Sequence, residues 1–235
     1  MKKNITKFTN SMRVVHTLML KSFFESNIGL FEGQMGIALA ISKFYEYTKN
    51  DAFLDYVYDL LELTISKINN GLSISFSNGL SGIGWSIEYL IQNKLVEGES
   101  VEICEEIDNK IMEIDPRRIE DYSLETGFEG LLLYVVYHLQ GAIKQGTKLP
   151  FDNTYLSDIY SVCKSINYKN INKSLNDLSE AYISFVENNM MPVYDQRIIN
   201  FAANVPKIDY DKLITYPLGL DNGIAGVLVH LLEKD

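Results

Sequence analysis

The chain has 235 residues, and 46% of them are apolar, which is enough to bury a sizeable core and too much for a disordered tail. Thirty-one acids against twenty-one bases give a net charge of −10, which argues against a general nucleic-acid binder because phosphate needs a basic face. No apolar run is long enough to span a membrane, and two cysteines do not make a disulfide framework.

Residues 1–24 carry five bases and no acids. No apolar h-region follows the opening lysines, so the segment does not read as a secretory signal. It reads as an outer helix with a solvated basic face, the alternatives being a transit peptide or a helix lying on a membrane. A cytoplasmic location follows as the simplest expectation.

Beyond it an internal repeat sets the organisation. Gly33-x-x-Gly36 is followed by Ile-Ala-Leu-Ala, Gly79-x-x-Gly82 by Ile-Gly-Trp-Ser, Gly127-x-x-Gly130 by Leu-Leu-Leu-Tyr, and Gly223-x-x-Gly226 by Val-Leu-Val-His. The spacings are 46, 48 and 96 residues, and the last is a double step that puts a degenerate fifth unit at Leu175–Leu178. The residues just before the first glycine are Glu32, Asn78, Thr126, Ser174 and Asn222. Four of these are good N-caps, so each unit is expected to start a helix there. Two glycines in a first turn need a reason, and close approach of a neighbouring backbone is favoured over bare N–H groups facing a ligand.

The segments after the glycines, such as 37–44 and 131–139, are almost wholly apolar and predict buried inner helices. More amphipathic segments precede them and predict outer helices over 51–68, 101–114, 153–166 and, shorter, 193–203. Stretches 141–150, 167–173 and 204–222 read as hairpin connections, none long enough to divide the chain. The fold class is therefore all-α, a single domain over 1–235 of five helical hairpins arranged as a solenoid or an α/α toroid, closed or partial.

The segments 30–40, 78–85, 126–131 and 221–227, with their Gly-x-x-Gly starts, resemble the lanthionine synthetase C-like (LanC-like) family. That resemblance implies an α/α toroid whose inner helices begin at the repeated glycines. Two departures stand out. The family's cyclases have about seven hairpins, against five here. They also bind zinc through a loop cysteine and an adjacent Cys-His pair, and use a histidine just before a Gly-x-x-Gly. Cys104 and Cys163 fall in outer helices with no neighbouring histidine, His16 lies in the first outer helix, and His138 and His230 lie inside inner helices. Zinc-dependent cyclisation by this chain alone is therefore not expected. No metal or cofactor is assigned, no catalytic residue is named, and both cysteines read as core.

In such an architecture the residues before the glycines would rim a common mouth: Glu32, Asn78, Tyr122, Glu125, Thr126, Tyr216, Asp221 and Asn222. Helix capping is the plainer role for them, and ligand binding the functional one. Eight of the net negative charges fall within 97–125, where eleven acids meet three bases, a face suited to a basic partner segment. The expected function is a LanC-like protein acting as a peptide-binding or accessory component of peptide modification. The alternatives are a carbohydrate-acting toroid using rim carboxylates, for which Trp85 is better placed in the core than in a sugar site, and a partial ring completing a larger assembly. A peptide or protein partner is implied. So is homo-oligomerisation of the basic first helix with the acidic third outer helix, while no nucleic acid and no membrane span are expected.

Overall fold

The computed structural model of the protein describes residues 2–69, 71–166, 172–194 and 197–233. These residues form ten α-helices and four 3-10 turns with no strand among them, which agrees with the all-α reading. No described helix is long and apolar enough to cross a membrane. The chain divides into two compact units, one made of residues 1–69 with 196–235 and the other of residues 70–195.

In the first unit, α1 (Lys2–Lys21), α2 (Gln34–Thr48), α3 (Asp51–Ser66) and α10 (Ile224–Glu233) pack together. The inner helix α2 is buried on most sides, as its apolar run requires, from Met35 through Phe44. It ends at Lys49, which takes the left-handed conformation and returns its N–H to Tyr45 O. Helix α3 starts two residues later, where the Asn50 side chain accepts from Ala52 N. It buries the single stripe Phe53, Val57, Leu60, Leu61 and Thr64.

The basic face of α1 is not simply solvated. Lys7 Nζ sits 5.6 Å over the Tyr47 ring, Arg13 pairs with Asp211 at 2.7 Å, and Lys21 Nζ donates to Ile214 O. These side chains tie α1 to its own unit while Val14, Val15 and Leu18 fill the core. The helix predicted over 193–203 is reduced to a 3-10 turn at Ile198–Phe201 (residues 195–196 lie outside the described set). The reason lies just downstream. Asn204 N and Nδ2 donate to Asp221 Oδ1, and Asn204 O accepts from Asn222 N, which pins the chain to the loop before α10.

The second unit holds α4 (Leu80–Gln92), α5 (Ser100–Ile103), α6 (Glu105–Met112), α7 (Phe128–Gln145), α8 (Asn153–Ile166) and α9 (Lys173–Asn188). Inner helices α4, α7 and α9 follow one another, α7 packing on both neighbours. Trp85 is fully buried in α4 against Phe76, Tyr89 and Tyr137, as expected of a core residue. The helix predicted over 101–114 is broken at Cys104. Val101, Cys104 and Ile107 recur every three residues, and a tighter turn at Cys104 keeps all three on the buried face. The connection expected from Gly141 begins later. Helix α7 continues through Gly141 and stops at Gly146, whose φ of +70 ends it in the left-handed region. Of the connection expected over 167–173, residues 167–171 lie outside the described set.

Candidate functional site

The starts of the inner helices differ from the expectation in an informative way. The N-cap positions are the glycines Gly33, Gly79 and Gly127, and none makes a side-chain cap bond. The first-turn N–H groups are instead taken by backbone carbonyls seven residues earlier. Gln34, Met35 and Gly36 donate to Asn27, Ile28 and Gly29. Ile224, Ala225 and Gly226 donate to Pro217, Leu218 and Gly219. Leu80 donates to Ser73 and Phe128 to Asp121. The preceding loop therefore folds back along the first turn and satisfies donors that a helix end normally leaves open.

This fold-back explains the paired glycines. A Cβ on Gly33 would lie 2.4 Å from Asn27 O, and one on Gly36 2.1 Å from Leu30 O. The same contact, six residues back, recurs for Gly79 with Ser73 O, Gly127 with Asp121 O, Gly130 with Leu124 O and Gly226 with Leu220 O. Close backbone approach is thus the reason for the motif, and those N–H groups do not face an open anion site. The degenerate unit obeys the converse. Helix α9 has no glycine start, and Asn172, not Ser174, caps it by accepting from Leu175 N at 2.8 Å.

The expected rim residues serve these loops, and the structure distributes them over both units. In the first unit Asp221 N donates to Phe31 O, joining the first and fifth loops. The Asp221 carboxylate accepts from Asn204, and Asn222 adopts a φ of +50. Glu32 is exposed, 3.5 Å from Asn27 Nδ2, and Tyr216 OH accepts from Asp209 N. In the second unit Phe76 N and Ser77 N both donate to Glu125 O, joining the second and third loops. Thr126 Oγ1 donates to Asp121 Oδ2 at 2.5 Å, a bond that with the Ser123 N–H and hydroxyl holds the Asp121 carboxyl below its usual range. The Tyr122 ring meets Phe128 edge-on, and Asn78 is half-buried. The N-cap positions are held by Gly79 and Gly127 and not by Asn78 and Thr126.

The acidic stretch forms a real concavity. Glu99, Glu102, Glu105 and Asp108 line a cavity of about 470 Å³ together with Thr147 and Lys148. Asp108 is buried with both oxygens engaged inside the unit, so three exposed glutamates and one ammonium give the cavity a negative potential suited to a basic segment.

The cysteines and histidines do not converge on one point as zinc ligands would. Cys104 and Cys163 are buried. Burial, then the charges of Asp108 and Glu88, push the Cys104 thiol well up, and burial raises Cys163 to about 12. Zinc binds thiolates, and both sites oppose that form. Both ring nitrogens of His138 are engaged, Nδ1 at 2.7 Å from Glu88 Oε2 and Nε2 at 3.0 Å from Asp108 Oδ2. His230 Nε2 lies 2.8 Å from Ala202 O, and His16 is exposed on α1. Among the described residues no group of three or more His, Cys, Asp or Glu is arranged to hold a metal ion.

The buried Glu88–His138–Asp108 group is what reading the sequence missed. Glu88 is the one charged residue within 83–91 and His138 the one ionisable imidazole within 131–139, whereas Asp108 lies among Glu105, Glu106, Asn109 and Lys110 and reads as a surface residue. The first two positions flag a buried ionisable residue, but three different helices supply the partners, so spacing does not pair them.

The architecture defines a protein of repeated helical hairpins whose inner helices start at folded-back glycine loops. The chain matches the family described as lanthionine synthetase C-like protein over residues 25–234, and it belongs to that family. No curated protein matches it.

Proposed function

We propose that the chain works as a LanC-like protein in peptide modification by binding a peptide or protein segment, without zinc-dependent cyclisation of its own. The observation that carries this is the state of its cysteines and histidines. Cys104 and Cys163 are buried thiols held in their neutral form, and His138 is saturated by two carboxylates. A lanthionine cyclase of this family would need an exposed thiolate and a free imidazole converging on one metal. The groove edged by the exposed Glu99, Glu102 and Glu105 is the surface we assign to the partner, which should present lysine or arginine.

Two measurements test this reading. Native mass spectrometry of the untagged chain should give a zinc-free particle, and one tightly held zinc per chain would overturn it. Fluorescence anisotropy with a labelled lysine-rich peptide should show binding that weakens with salt and is lost in Glu99→Gln/Glu102→Gln/Glu105→Gln. Binding unchanged in that variant would remove the groove from the proposal.

A second reading, a part that completes a larger assembly, draws on one feature of the first unit. Phe24 is 87% exposed, Leu20 74% and Ile214 69%, and Lys21 hydrogen-bonds the Ile214 carbonyl between them. Apolar side chains left so open favour a covering partner. A monodisperse monomer by light scattering would count against it.

A further inference from the structure

The interior of the second unit contains a chain of ionisable groups held together by short contacts. His138 of α7 lies between Glu88 of α4 and Asp108 of α6, with all three side chains no more than 3% exposed. Tyr134, one turn earlier on α7, donates to Asp108 Oδ1 at 2.5 Å and stacks on the His138 ring. Cys104, at the α5–α6 break, and Tyr155 of α8 also feel the Asp108 charge, and Glu99, Glu102, Glu105 and Lys148 line the cavity that Asp108 borders. The Phe151 ring closes the other side, edge-on to His138. Two helix-interior glycines make room: a Cβ on Gly84 would lie 2.5 Å from the Tyr134 ring, and one on Gly141 1.8 Å from Glu88 Oε1.

The contacts count protons without any titration argument. A neutral imidazole has one N–H and one lone pair, whereas both nitrogens here face carboxylate oxygens at 2.7 and 3.0 Å. With a neutral ring and two carboxylates, one contact would set lone pair against lone pair in a medium that screens poorly. The geometry therefore requires one more proton than that state holds. A protonated ring places it between the two acids and fills both contacts with N–H donors.

We propose that Glu88, His138 and Asp108 form a proton-dependent latch, in which an imidazolium on His138 clamps α4 and α6 to α7 and loss of its proton loosens the second unit. Burial pulls the imidazole down, but the hydrogen bonds and charges of Asp108 and Glu88 outweigh it and raise it from 6.5 to about 9. The sign follows from linkage. The folded chain keeps this proton above pH 6.5 while the unfolded chain has released it, so the stabilisation is complete below 6.5 and is lost as pH rises through 9. Cys104, Tyr134 and Tyr155 are all raised, and their ordinary values of 9.0 or above put their own effect higher still.

The test uses the full chain, which carries three histidines and one tryptophan. In a ¹⁵N-histidine-labelled sample one ring should keep both N–H protons at pH 8. Urea unfolding followed by Trp85 fluorescence should show the unfolding constant rising about tenfold per pH unit between pH 7 and 8.5, the one-proton slope. His138→Gln should flatten that slope. Three neutral rings at pH 8, or a flat profile in the unmodified chain, would overturn the latch. Both of those readouts need only the native sequence, so a His138→Gln chain that does not fold leaves the test intact.

Discussion

The two units start their inner helices in the same way and bury different things. In both, the loop folds back over the first turn, and a carbonyl six residues earlier occupies the space of the missing Cβ. The first unit carries twelve acids and twelve bases, and its buried polar residues are neutral: Ser11, Ser22, Gln34, Ser42 and Thr64. The second carries nineteen acids and nine bases, the whole net charge of the chain, and it buries Glu88, Asp108, Glu129 and His138. One repeat thus supports an apolar interior in one place and an ionic one in another. The glycine loop makes the helix start independent of what the helix goes on to bury.

The sharpest way to break this contrast is to remove one partner of the ionic group. His138→Leu leaves two carboxylates facing each other in the core and should lower stability by about 3–5 kcal/mol, read as a fall in the urea midpoint of the Trp85 signal. The combined change Glu88→Leu/Asp108→Leu/His138→Leu removes the charges together. It should recover most of that loss, because well-packed apolar replacements of buried ion pairs are often neutral. If the triple variant is as unstable as the single one, the group is needed for its shape and not for its charge balance.

What the units share is tested by the glycines. Gly36→Ala in the first unit and Gly130→Ala in the second would each place a methyl 2.1 Å from a backbone carbonyl, Leu30 O and Leu124 O respectively. Each should cost about 1–3 kcal/mol or more, since backbone rather than a flexible side chain must move. Losses of similar size in both would show that the helix start is one device used twice. Thermal unfolding by circular dichroism is sufficient to measure it.

A smaller effect belongs to the start that lacks glycine. Asn172 accepts from Leu175 N and donates to Glu129 Oε2 at 2.8 Å, so it caps α9 and ties it to the first turn of α7. Asn172→Ala should cost about 1 kcal/mol for the cap, with a further share for leaving the buried Glu129 without this donor. Amide exchange should rise first in 173–178.

These expectations also mark what the sequence could disclose. The all-α class, the repeat and the positions of α2, α4, α7 and α10 were legible because glycine spacing and apolar runs are local patterns. The caps were read one residue early at Asn78 and Thr126, where Gly79 and Gly127 hold the N-cap positions. A short polar residue before a helix looks like a cap, and nothing local reveals a carbonyl arriving from seven residues away. The outer helix over 193–203 failed for a similar reason, since Asn204 finds Asp221 and Asn222 across seventeen and eighteen residues. The candidate residues beside the glycines were legible as loop positions, but the jobs of their side chains were not. Asp221 and Thr126 spend their oxygens within their own loops, a choice that only the folded backbone fixes. Glu88 and His138 lay in plain view as misfits in apolar runs, but Asp108 sat unmarked in an acidic segment, and only the packing of three helices joined them.

The last prediction concerns charge on the outside, where the contrast should vanish. Arg13 of α1 and Asp211 form an acid–base contact of 2.7 Å, the same length as His138 to Glu88. Their side chains are 44% and 83% exposed, so water and salt screen the attraction and compete for both groups. Arg13→Gln should therefore change the urea midpoint by less than about 0.5 kcal/mol, and added salt should shrink even that. A loss approaching that of His138→Leu would mean that α1 depends on this pair for its seat on the first unit. The buried stripe Val14, Val15 and Leu18 would then be insufficient to hold it. A negligible loss would confirm that equal distances carry unequal energies, with desolvation deciding which charged contacts matter in this fold.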